Sequence, residues 1–207
     1  MLVETIFDHQ NTLTNMTENI SLIRQAGFFK KYQSHTDTEL LDKLYEIKKQ
    51  EYSKLFGYDY SPERKNDLYS ISQQDNEKFL DIDLEADVCA DNKVYTSLLG
   101  DFSKASDGNF LPTDITETWA TEQGPIKLSF ISNGQLIAFE PEYMDDWIDD
   151  RIFKIINEEM KKVSDEFFYL CSGPNEEWFG QNVIYIRLTE IEKKSLEEKL
   201  EWKFPEE

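Results

Sequence analysis

Ile126-Lys127-Leu128-Ser129-Phe130-Ile131-Ser132-Asn133-Gly134-Gln135-Leu136-Ile137-Ala138-Phe139 is the stretch whose reading decides the fold. Two apolar runs flank Ser132-Asn133-Gly134, and Asn-Gly adopts the positive φ of a tight turn with least strain, so the stretch predicts a β-hairpin. Pro141 ends the second strand. Downstream, Asp149 or Asp150 is expected to cap an amphipathic helix with Ile152, Phe153, Ile155, Ile156, Met160 and Val163 inward. Residues 167–171 and 183–188 read as two more apolar strands joined by the loop 172–181. Thr189 then opens a last helix to about Leu200, with Ile191, Leu196 and Leu200 inward and Trp202 and Phe204 packing back on the core. The C-terminal half thus has the order ββαββα, which favours an α+β fold with an antiparallel sheet and helices on one face.

Upstream, a helix is expected near Thr17–Gln25, ending at Gly27. Thr36-Asp37-Thr38-Glu39 reads as a capping box, followed by Leu40, Leu41, Leu44, Tyr45, Ile47, Leu55 and Phe56 at helical spacing up to Gly57, so a helix is predicted over about 37–56. Residues 58–74 read as a loop with a turn of helix. From Phe79 to Cys89, Ile82, Leu84, Ala86 and Val88 alternate with Asp81, Asp83, Glu85 and Asp87, the period of a half-buried strand. Asp91 or Asn92 is expected to cap a helix over about 92–106, stopped by Asp107-Gly108-Asn109, and Pro112-Thr113-Asp114 to open a short helix carrying Ile115 and Trp119. No linker divides the chain, so 1–207 reads as one α+β domain with a helical part over 1–57 and an acidic part over 58–207.

The 207 residues carry a net charge of −20, and residues 58–150 hold −15 of it. An aromatic content of 14% sets the chain apart from acidic disordered segments and is enough to build a core. The field repels phosphate backbones and anionic lipid, which argues against nucleic acid and membranes as partners and favours a basic protein surface or a cation. Cys89 and Cys171 lack the neighbours of a zinc cage or a disulfide framework. The start has no basic n-region or long apolar run, so the expected compartment is the cytoplasm.

No catalytic constellation emerges. The two histidines, His9 and His35, lie in the near-neutral N-terminal part, and neither a nucleophile elbow nor a phosphate-cradling glycine loop is present, so no catalytic residue, cofactor or nucleotide is expected. The acidic run 81–87 does not place Gly and Glu where a calcium loop needs them, and its plain reading is an edge strand protected by charge. No metal ligands are assigned. The second acidic cluster is richer: Glu140, Glu142, Asp145, Asp146, Asp149 and Asp150 surround Tyr143 and Trp147. Some of these acids suit the N-terminus of the following helix, but they cannot all cap it. The excess, interleaved with two aromatics, has the composition of an interface, so these eight residues are the candidate partner-binding set.

Leu40-Leu41-Asp42-Lys43-Leu44-Tyr45-Glu46, Asp83-Leu84-Glu85-Ala86-Asp87-Val88-Cys89, and the hairpin followed by Phe139-Glu140-Pro141-Glu142-Tyr143 and Asp145-Asp146-Trp147 resemble a set of small acidic bacterial proteins with no established activity. In type, the chain resembles the immunity proteins of polymorphic toxin systems. That resemblance implies a non-catalytic, cytoplasmic inhibitor that covers a basic surface of a toxin. The alternatives are an enzyme or ligand-binding protein with a site assembled from scattered residues, and a divalent-cation site in the acidic cluster.

Overall fold

A computed structural model describes residues 17–57, 67–173 and 181–205, which form an α+β fold of six helices and two antiparallel three-stranded sheets. Residues 17–25 form α1. The chain turns at Gly27, makes a short 3-10 turn and enters α2 (Asp37–Phe56). The capping box is formed in both directions: Thr36 Oγ1 accepts from the Glu39 N–H, and the Glu39 carboxylate accepts from the Thr36 N–H at 2.8 Å. Gly57, at φ 71°, ends the helix. Only Leu40, Leu41 and Leu44 of the apolar stripe are buried, while Leu55 and Phe56 are exposed. Of the expected loop 58–74, residues 58–66 lie outside the described residues, and α3 (Asp67–Ser72) follows.

The central sheet has the order β1 (Phe79–Asp83), β6 (Asn182–Thr189), β5 (Glu166–Leu170). β6 is buried on both faces because Val-Ile-Tyr-Ile-Arg-Leu offers something to each side. Ile184, Ile186 and Leu188 join α1, α2, α3, Trp202 and Phe204 in one core, and Val183 and Tyr185 join α4 (Val94–Ala105) and α5 (Arg151–Met160) in the other. The second sheet, β2 (Thr113–Trp119), β3 (Ile126–Ser132) and β4 (Gln135–Phe139), closes that second core. The antiparallel pairing is as expected, but the strands divide between two sheets, with packing on both faces of the central one.

The hairpin is present: Asn133 and Gly134 have φ of 50° and 73°, and Phe130 is buried while Phe139 is partly covered. Residues 113–119, expected as a helix, form a strand instead. Thr113, Ile115, Thr116, Thr118 and Trp119 are β-branched or aromatic, and Asp114, at φ 51°, sits at a register shift against β3. The expected strand 79–89 ends at Asp83. Neither Asp91 nor Asn92 caps α4; Asn92 donates to the carbonyls of Ala86 and Asp87 instead. The cap comes from β2, where the buried Glu117 carboxylate accepts from the Thr96 N–H and hydroxyl, both at 2.9 Å, and from Trp119 Nε1. Val163 and Ile191, expected inward, are exposed: Val163 lies in the turn past the end of α5, and Ile191 falls outside the face that α6 (Glu190–Leu200) presses on the sheet. Thr189 and Glu192 form the capping box of α6, and Leu196, Trp202 and Phe204 are buried.

Two cations lie at the seam between the cores. Arg187 is 2% exposed and Lys78 1%. Arg187 Nε donates to the Ala105 carbonyl at the end of α4 at 2.7 Å, and its Nη1 pairs with Glu166 on β5. Lys78 lies 3.4 Å from Glu192 on α6 and 3.8 Å from Glu166. Burial pushes the Lys78 ammonium below its ordinary range, against the pull of Glu192 and Glu166. The network reaches the N-terminal part through Lys30–Asp107 at 2.6 Å and through Phe29, whose N–H donates to the buried Asp75 carboxylate. Removing one partner of a buried ion pair strands the other charge, so Arg187→Met should lower stability by about 3–5 kcal/mol. A urea unfolding curve should show the midpoint moving down without a change of slope.

Candidate functional site

The acidic loop after β4 is built around one buried acid. Asp149, expected among the partner-binding residues, is buried and spends its carboxylate inside the fold. Its Oδ2 accepts from the Glu142 N–H at 2.8 Å, closing the loop on itself, and its Oδ1 accepts from the Arg151 N–H at 3.2 Å and from Arg151 Nε at 2.8 Å. Asp149 thus holds the start of α5, while Asp150, at the end of the loop, makes no side-chain cap. Burial alone would raise the Asp149 carboxyl, but the Arg151 side chain and the Glu142 and Arg151 N–H groups outweigh it and hold the carboxyl below its ordinary value. Tyr143 is half-buried, packs edge-on against Trp119 and donates its hydroxyl to Asp145.

The remaining acids of the set face solvent: Glu140, Glu142, Asp145, Asp146 and Asp150 are exposed. Trp147 and Met144 stand among them, 42% and 40% exposed. The backbone of this loop is stitched to the chain leaving β1. Ala86 N–H donates to Asp146 O at 2.9 Å, Ile148 N–H donates to Leu84 O at 2.8 Å, and Glu85 pairs with Trp147. The two acidic segments, far apart in sequence, therefore form one surface. Among the described residues, Asp81, Asp83, Glu85, Asp87, Glu140, Asp145 and Asp146 have no Lys or Arg partner within ion-pair distance. Asp145, at φ 58°, takes a left-handed backbone that brings Trp147 round to the surface.

Beside this surface lies a groove of about 650 Å³ between β1 and α4. Phe79, Leu80, Ile82 and Leu98 give it an apolar lining, with Asp81, Asp83 and Asp101 among its polar groups. A smaller cavity of about 200 Å³ is lined by Lys30, Lys78, Lys104 and Arg187, but all four are already paired, with Asp107, Glu192, Asp101 and Glu166. Its charge is spent on the fold. The groove and the buried cations had little sequence signal beyond Arg187, the one charge in the apolar run 183–188.

Burial pushes the Cys171 thiol up to about 12, so it is not a thiolate near neutral pH, and Cys89 is a free, exposed thiol. Among the described residues, no three His, Cys, Asp or Glu side chains converge to hold a metal ion. The chain matches no family model, no curated protein and no solved structure.

Because the Asp149 carboxyl lies below its unfolded value, its contribution to stability is present above about pH 4 and is lost as the pH falls through the folded value. Asp149→Asn should lower stability by about 1–3 kcal/mol at pH 7, since it removes the charge that pairs with Arg151 and weakens the loop closure. Thermal melts of both proteins from pH 7 to pH 3 should show the gap narrowing below about pH 4.

Proposed function

We propose that the protein is a non-catalytic binder of a basic protein surface, and that it acts by occupying that surface, as an immunity-type inhibitor of a toxin in the cytoplasm would. The observation that carries this reading is the joining of the 81–87 and 140–150 acids into one surface, with Trp147 and Met144 exposed within it. Like charges held together without local cations repel one another, which costs folding stability but favours the approach of a cationic surface. Exposed Trp and Met within such a field suit the apolar anchors of an interface. No helix among the described residues is long and apolar enough to cross a membrane. The contact set is Glu140, Glu142, Asp145, Asp146 and Trp147, with Asp150 at its edge and Tyr143 supporting Asp145; Asp149 acts from inside by holding the loop.

The test neutralises the surface without disturbing the turn. Asn tolerates the left-handed backbone as well as Asp does, so Asp145→Asn is combined with Asp146→Lys. The melting temperature should be unchanged or slightly raised, since repulsion is relieved. Capture of the natural partner from the source cell should fall at least about tenfold, as expected for lost contacts to a basic interface. Wild-type capture should be eluted by a salt gradient. Intact capture by the variant would defeat the reading.

A further inference from the structure

Among the described residues, β1 is paired on one side only. Lys78 O accepts from the Arg187 N–H and the Leu84 N–H donates to Gln181 O, both at 3.0 Å, and the register between them is continuous. Bonding residues alternate along an antiparallel strand, so Leu80 and Ile82 spend their peptide groups on β6, while Phe79, Asp81 and Asp83 direct theirs outward. The Phe79 N–H is taken by Asp75 O at 2.8 Å. Among the described residues, nothing takes the N–H or C=O of Asp81. Beyond Asp83, where β1 has ended, residues 146–148 lie beside 84–86 and bond to them like a short added strand. Asp81 is among the residues that line the groove, so the open part of the edge faces it.

The groove selects its occupant by two patterns. Leu80 and Ile82 point to the apolar floor shared with α4, while Asp81 and Asp83 alternate with them on the other side. Lys104 is the only cation among the lining residues, and it is paired with Asp101 at 2.8 Å. A second copy of this chain would bring the same acids and another net −20 against this edge. An acidic edge repels anionic strands and gives neutral ones no electrostatic gain, whereas a strand whose side chains alternate apolar and cationic matches it on both faces and supplies the missing main-chain hydrogen bonds.

Building on the reading of the acidic surface as a partner-binding one, we propose that the open edge of β1 takes up an extended segment of the partner, with Lys or Arg alternating with apolar residues, as an added strand in the groove. Three synthetic octapeptides test it: four Lys-Val repeats, the same peptide N-methylated throughout, and four Glu-Val repeats. Binding is followed by amide resonances and hydrogen exchange of the full chain. The Lys-Val peptide should shift the Asp81 and Asp83 amides and slow their exchange. N-methylation, which keeps side chains and charge but removes the donors, should weaken binding about tenfold or more. The Glu-Val peptide should not bind, and Asp81→Asn with Asp83→Asn should weaken the Lys-Val peptide severalfold.

Equal binding of the N-methylated peptide, or shifts confined to residues 140–150, overturns strand addition and leaves the acidic surface itself in place. Protection of the Asp81 and Asp83 amides in the free protein overturns it in favour of self-pairing, and absence of Lys-Val binding overturns it outright. Failure of the underlying reading appears elsewhere, as intact partner capture by the Asp145 and Asp146 variant.

Discussion

The structure turns on a pair of buried cations. Arg187 and Lys78 occupy the seam between the two cores, and everything that meets there is held through them: the end of α4 by its Ala105 carbonyl, β5 by Glu166, and α6 by Glu192. Arg187 suits its place because its planar guanidinium bonds a carbonyl and a carboxylate at once in fixed directions. Lys78 offers a point charge to two acids and lies over the Phe28 ring. Gly27 is part of the same arrangement: its φ of 79° strains any other residue, and a Cβ there would come within 2.6 Å of Lys78 Nζ and displace the ammonium. In so acidic a chain, the two cations with almost no exposed surface go to the place where β6 must be buried on both faces.

The acids sort by the same logic. Glu117, Asp75 and Asp149 are buried, and each bonds backbone N–H groups: the start of α4, the Phe29 turn, and the closure of the acidic loop. Buried carboxylates must be met by donors, and these are. Of the exposed acids at 81–87 and 140–146, Asp83 accepts from the Glu85 N–H and Asp145 from the Tyr143 hydroxyl, but among the described residues none has a Lys or Arg within ion-pair distance. The cap of α4 is supplied from elsewhere in the chain, by Glu117, which leaves Asp91 at the surface.

This sorting explains what could be read from the sequence and what could not. The hairpin and both capping boxes rest on interactions a few residues apart, and the Thr36 and Thr189 boxes and the Asn133–Gly134 turn are all present. Pro112-Thr113-Asp114 has the look of a helix start, whereas pairing with β3 makes residues 113–119 a strand. Nothing local separates Asp149 from Asp150; its burial is set by Tyr95, whose hydroxyl accepts from the Asp149 N–H at 3.0 Å from 54 residues away. The union of the two acidic segments depends on pairing between 84–86 and 146–148, which no local pattern announces.

An open edge strand exposes a protein to aggregation, and the usual remedies are charge, a short strand or a cover. β1 has the first two: it is five residues long and carries Asp81 and Asp83, and among the described residues nothing covers the edge at Asp81. Charge alone is therefore left to guard this stretch, and charge discriminates where a cover would not. A second copy of the chain would be disfavoured there and a cationic strand favoured. On the proposed reading, long-range attraction sets how fast a partner arrives, while the peptide groups of β1 and the apolar floor set how long it stays. The feature that keeps the free protein from pairing with itself is then the same one that chooses what it pairs with.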